Sequence, residues 1–222
     1  MDLAIVNHSS TNSWHIKGQQ KLRESLGNHK PLLFSSAAIP ILYSFYEDKI
    51  YAIKQARDIG FKKILWLDSS ITLIEGKTLQ PIYDWIETNG VYLYPSGYKS
   101  GQTANSKALS FYGTNTNEQM LVPEVASNVV GINMETEIGK TFLEEWIKSL
   151  QSEANRGIEW PSEYEAMIDN PDPRFLFSRQ DQTTATLAAW KTKAPIDNGS
   201  LFVYRDGEEV EKESSIFKLK GL

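Results

Sequence analysis

A chain of 222 residues, 41% hydrophobic and 23% charged, can bury a sizeable core and has the make-up of an ordinary globular protein. The net charge of −5 and the absence of any Lys/Arg run argue against nucleic-acid binding, and with no cysteine a disulfide framework or thiolate zinc site is excluded. Neither a signal-peptide pattern nor a stretch of roughly 20 apolar residues occurs, so the expectation is a cytoplasmic protein with no transmembrane segment.

Taken in chain order, Leu3–Val6 reads as a buried strand running into the polar turn Asn7-His8-Ser9-Ser10. Gln19–Leu26 is a short helix stopped by Gly27, and Leu32–Phe34 a second strand. Phe45–Ile59 repeats Tyr46, Ile50, Ile53 and Ala56 at helical spacing before Gly60. Ile64-Leu65-Trp66-Leu67 is apolar on both faces, as in the centre of a parallel sheet, and stops at Asp68-Ser69-Ser70. Thr78–Asn89 is helical, with Pro81 tolerated in its first turn, and Val91–Tyr94 is a strand.

This alternation predicts an α/β fold with a mostly parallel central sheet flanked by helices and right-handed crossovers. Ligands of such sheets sit at the carboxyl ends of the strands, where Asp68 lies. Pro95 to Pro123 reads as a long polar loop, and Val125–Met134 as a strand region broken by Gly131. Thr136–Leu150 is an amphipathic helix. Ser178-Arg179-Gln180-Asp181 has a capping-box pattern opening a helix to Thr192, and Leu201–Val210 suggests a hairpin on Asp206-Gly207. The charged last residues are expected to fray. No linker divides the chain, so a single domain over 1–222 is expected.

The stretch from Tyr51 through Gly60 to Ile71 resembles the core of GT-A-type glycosyltransferases: a helix ending in Gly, an apolar strand, then an Asp-x-Asp motif. Asn128–Met134 with the helix carrying Trp146 is similar to the acceptor-side half of such enzymes. Arg179-Gln180-Asp181-Gln182 resembles the Asp-Gln pair that opens a late helix there. The order of the three blocks, across residues 45 to 190, carries the resemblance.

The resemblance implies a Rossmann-like domain with a nucleotide-binding half (1–94) and an acceptor-side half (95–222). Its activity would be transfer of a sugar from a nucleotide-diphosphate sugar to a hydroxyl of a glycan, lipid or small-molecule acceptor. Asp68 and Ser70 would hold Mn²⁺ or Mg²⁺, and Asn7, His8, Ser9 and Ser69 would meet the donor. Asp181 would deprotonate the acceptor, with Arg179 and Gln182 beside it. Ser70 departs from the motif, since a hydroxyl brings none of the charge of a carboxylate. Two alternatives follow: a metal-independent enzyme in which Lys54, Lys99 or Arg179 neutralises the diphosphate, or an inactive domain that only binds a nucleotide or glycan.

Each residue also has a plainer role. Asp68 followed by Ser opens turns, Trp66 is a core residue, and Asp181 suits the N-terminus of its own helix. Tyr94, Tyr98 and Tyr112 either stack on sugars or anchor the polar loop. No phosphate loop, dinucleotide fingerprint or nucleophile elbow occurs.

Overall fold

The computed structural model describes residues 3–36, 46–113, 117–156, 162, 165–166, 168, 170–197, 202–205 and 214–219. The chain runs through β1 (Leu3–His8), α1 (Ser13–Leu26), β2 (Leu32–Ser35), α2 (Glu47–Asp58), β3 (Lys63–Leu67), β4 (Ile71–Leu73) and α3 (Gln80–Asn89). It continues through β5 (Val91–Tyr92), β6 (Pro95–Lys99), α4 (Ser100–Thr103), α5 (Ser106–Tyr112), α6 (Asn117–Leu121) and β7 (Pro123–Val125). The remaining elements are β8 (Val129–Asn133), α7 (Glu137–Ile147), a 3-10 turn (Glu153–Asn155), α8 (Gln180–Thr192), β9 (Val203–Arg205) and β10 (Phe217–Leu219).

The central sheet has the order β2-β1-β3-β8-β5. Its strands are parallel except β8, which runs antiparallel to both β3 and β5. β8 therefore places a strand of the second half at the heart of the first half's sheet. Leu3 pairs with Lys63 and Val6 with Trp66, so the carboxyl ends of β1 and β3 lie side by side.

Period-two alternation sorts the side chains into two cores. Ala4, Val6, Ile64, Trp66, Val130 and Ile132 pack against Ile50, Ile53, Phe142, Trp146 and Leu187 from α2, α7 and α8. Leu3, Ile5, Leu65, Leu67 and Val129 pack against Leu22, Leu26, Ile82 and Ile86 from α1 and α3. A small sheet, β4-β10-β9, adds Phe217 and Val203 to this second core. Among the described residues no helix is long and apolar enough to cross a membrane.

Several expectations are corrected. The polar stretch 95–123 holds β6, α4, α5 and α6, because Ala108, Leu109, Tyr112 and Met120 find burial against the core rather than within their own segment. Gly131 does not break its strand: it is buried mid-β8, where a Cβ would lie 2.3 Å from the Ile86 Cδ1. Ser178 does not cap α8, whose N-cap is Arg179 with no side-chain bond. The expected hairpin on Asp206-Gly207 lies outside the described residues, and β9 pairs in parallel with β10. Phe217–Leu219 is ordered as a strand because Phe217 is fully buried and β10 bonds both β4 and β9.

Candidate active site

The carboxyl ends of β1 and β3 open into a cleft of about 530 Å³. His8, Asp48, Lys49, Trp66 and Asp68 line it, with Ser69 and Ser70 beside them. Trp14 and Tyr46, each 42% exposed, form apolar walls, and His15 adds a third ring.

Strand parity decides which helix each strand-end residue meets. Asn7 points to the α1 side: its Nδ2 donates to the Leu67 carbonyl at 2.6 Å, and its Oδ1 accepts from Gln19 Nε2 at 2.7 Å. His8 points to the α2 side, with Nε2 3.8 Å from Asp48 Oδ2 and Nδ1 2.8 Å from Ser35 Oγ. The Asp68 carbonyl accepts from Ile71 N at 3.0 Å, so the residue does open a turn. Its carboxylate is free of that turn and accepts from the Trp66 indole at 2.5 Å. α1 approaches this turn at Gly18, where a Cβ would lie 2.3 Å from the Ser69 carbonyl oxygen. Only glycine allows that approach.

The floor of the cleft is a charge cluster drawn from three elements. Lys49, 3% exposed, donates to Asp181 Oδ2 at 2.7 Å and to Ser127 Oγ at 2.8 Å. It also donates to the Ser127 carbonyl at 2.9 Å and lies 3.3 Å from Asp68 Oδ1. The Ser127 hydroxyl donates in turn to Asp181 at 2.5 Å. The Lys49 ammonium also lies 5.6 Å from the Trp66 ring centroid, adding a cation–π contact.

Burial alone would push Lys49 down, but Asp181 and then Asp68 outweigh it and hold the ammonium above its ordinary range. Burial pushes the Asp68 carboxyl up, against the opposing pull of Lys49. Burial also raises Asp48, to about 7, again against Lys49. His8 is lowered by burial, which favours its neutral form.

The raised Asp48 makes a prediction with a definite sign. Its ordinary value is 3.8, so between roughly pH 4 and 7 the folded state holds a proton that the unfolded state has lost. Stability therefore falls as pH rises through that window, and the full penalty is present above it. Asp48→Asn, which cannot ionise, is expected to melt several degrees above wild type at pH 8 and close to it at pH 4. Melting temperatures of both proteins at the two pH values check this; an equal difference at both would refute it.

The structure brings Asp68, Ser69, Ser70 and His8 into the cleft, with Asn7 directly beneath. The other expected site residues lie elsewhere. Ser9 is buried and does not line the cleft. Lys54 is on the outer face of α2, ion-paired with Asp58 at 2.6 Å. Arg179 stacks over Tyr98 and Phe177, at 5.4 and 4.9 Å from their ring centroids. Gln182 lies in the first turn of α8 and Lys99 is exposed at the end of β6, neither of them lining the cleft. Asp181 is behind the cleft at 3% exposure and is ion-paired with the cleft residue Lys49. Tyr94, bonded to Asn128, and Tyr98 anchor loops outside the cleft, and Tyr112 is buried.

Sequence reasoning missed Lys49, Asp48 and Ser127, and it took Trp66 for core alone. The one available signal for Lys49 was its helical spacing: it is one turn before Ile53, on the buried stripe of α2.

The oxygen set fits a divalent ion poorly. Asp68 is committed to Lys49 and Trp66, Asp181 to Lys49 and Ser127, and Ser70 adds no charge. Among the described residues no three His, Asp or Glu side chains converge as metal ligands.

No protein-family model and no curated protein sequence matches the chain. Solved structures do. A glycosyltransferase involved in the glycosylation of the major capsid of PBCV-1 matches over 98% of this chain and 92% of its own, with a TM-score of 0.52 at 13% identity. Mouse xyloside xylosyltransferase 1, in its apo form, matches over 98% of this chain and 96% of its own, with a TM-score of 0.50 at 10% identity. The α/β fold is thus that of the GT-A-type glycosyltransferases.

Proposed function

We propose that this chain, which has a GT-A-type glycosyltransferase fold, uses its cleft to transfer a sugar from a nucleotide-diphosphate sugar to an acceptor hydroxyl. The observation that supports it best is Asp68, at the carboxyl end of the central strand, with a partly exposed carboxylate over a buried lysine in a cleft walled by aromatic rings. The rings of Trp14 and Tyr46 offer stacking faces for a base. The first turn of α1 carries no acidic residue, and its N-terminus beside His15 offers N–H dipoles to a diphosphate. Asp68 and Ser69 would hold the sugar.

In the reaction the acceptor oxygen bonds to the anomeric carbon as the bond from that carbon to the diphosphate oxygen breaks, its electrons leaving with the diphosphate. The acceptor proton passes to a carboxylate. Asp48 suits that task, because it lines the cleft and its carboxyl is held to about 7, near a working pH. Asp181, shut away from the cleft, instead positions Lys49 and through it Asp68. Asn7 braces the Asp68 turn from below.

A second reading, a domain that holds a nucleotide or glycan without chemistry, is favoured by one observation. Lys49 is the only Lys or Arg among the described residues lining the cleft, and its donors are taken by protein oxygens. The two readings separate in a calorimetric titration with nucleoside diphosphates and their sugars, followed by assay for released nucleoside diphosphate. Binding of one base class with turnover on a sugar acceptor is the expected result. Binding without turnover under any condition would establish the second reading, and no binding at all would overturn both.

A further inference from the structure

An ammonium has three hydrogens to donate, and Lys49 faces four protein oxygens: two carboxylates, a hydroxyl and a carbonyl. These are the hard oxygen types that Mg²⁺ and Mn²⁺ take as ligands. They lie 2.7–3.3 Å from the nitrogen, which is N–H···O spacing, whereas metal–oxygen bonds to Mg²⁺ are roughly 2.0–2.1 Å. Because one cation reaches both carboxylates, Asp68 and Asp181 converge on one point from elements far apart in the chain.

We propose that Lys49 is the resident cation of this cleft, occupying the point at which Asp68 and Asp181 would otherwise share a divalent ion, so that the chain takes its ligand without metal. The lysine is held in place by its burial and its oxygen partners. Its side chain is 3% exposed, it lies in the first turn of a helix flanked by fully buried Glu47 and Ile50, and it lines the cleft. A divalent ion beside it would set two cations against each other in a poorly solvated site, where charge repulsion is strong. The serine at position 70 agrees with this assignment: a site already holding a covalently tethered cation has no use for another carboxylate.

The assignment extends the transferase reading to its cofactor but is tested with metal alone, so it stands or falls apart from any donor. Wild-type protein titrated with Mn²⁺ in a calorimeter is expected to show no binding up to millimolar concentration and no change in melting temperature. Lys49→Met keeps the length of the side chain and removes its charge, leaving the two carboxylates facing each other. This variant is expected to melt lower than wild type, to bind Mn²⁺, and to regain about 5–10 °C at saturating metal. Mn²⁺ binding by wild type that is lost in Asp68→Asn would overturn the proposal. So would a folded Lys49→Met protein that takes up no Mn²⁺. If the variant does not fold, the wild-type titration and its Asp68→Asn control decide the matter by themselves.

Discussion

Asp181→Ala is expected to lower the melting temperature by roughly 10 °C while leaving the cleft surface unchanged. The substitution removes the 2.7 Å partner of a buried ammonium and also strands the Ser127 hydroxyl that donates to the same oxygen. Removing one member of a buried ion pair costs about 3–5 kcal/mol, because the remaining charge keeps its desolvation penalty and loses its compensation. For a domain of this size each kcal/mol corresponds to about 2–4 °C. Asp68, at 3.3 Å, still compensates part of the charge, which places the effect toward the lower end. Adding Lys49→Met to Asp181→Ala removes the stranded charge, so the double variant is expected to be more stable than the sum of the two single changes. A melting temperature for Asp181→Ala within 2 °C of wild type, by scanning calorimetry, would be incompatible with the charge cluster.

Asp68→Asn is expected to act the other way, with a large effect on ligand binding and a small one on stability. Its side chain is 28% exposed toward the cleft, and the asparagine oxygen still accepts from the Trp66 indole. Lys49 keeps Asp181 as a matched partner, and relief of the burial cost of the Asp68 charge offsets the lost contact, so the melting temperature moves by no more than about 2–4 °C. On the proposed function, the affinity for a nucleotide-diphosphate sugar falls at least tenfold, about 1.4 kcal/mol. Calorimetric titration of the two proteins side by side measures this, and undiminished donor affinity in Asp68→Asn would remove Asp68 from the site. The two aspartates thus predict opposite patterns, although both touch the same lysine.

Legibility differs from element to element. β3 and α7 are readable because each carries its own periodicity, a two-faced apolar run in one and an amphipathic stripe ending at Trp146 in the other. α8 is less so. Its threonines and alanines are buried on nearly every side, and Thr183, Thr184 and Thr186 satisfy their hydroxyls with partners in other segments or in the preceding turn. A helix buried all round shows little amphipathic pattern. The elements of 95–123 are short, and the surfaces that bury them belong to α8 and its neighbours, so a local window reads only polarity. β10 closes a sheet with β4, nearly 150 residues earlier in the chain.

The main strands and helices of the first ninety residues, the burial of β3 and the position of Asp68 at its end follow from the sequence alone, since propensity, periodicity and chain punctuation act over a few residues. Which charges meet was decided by tertiary structure. Within its segment Lys49 stands beside Glu47 and Asp48 in an acidic first turn, the pattern of a solvated helix end. Its partner Asp181 lies 132 residues away, and the two meet only because α8 docks against α2 and β7. Electrostatic pairing depends on distance in space and on exclusion of water, and neither quantity exists until the helices have packed.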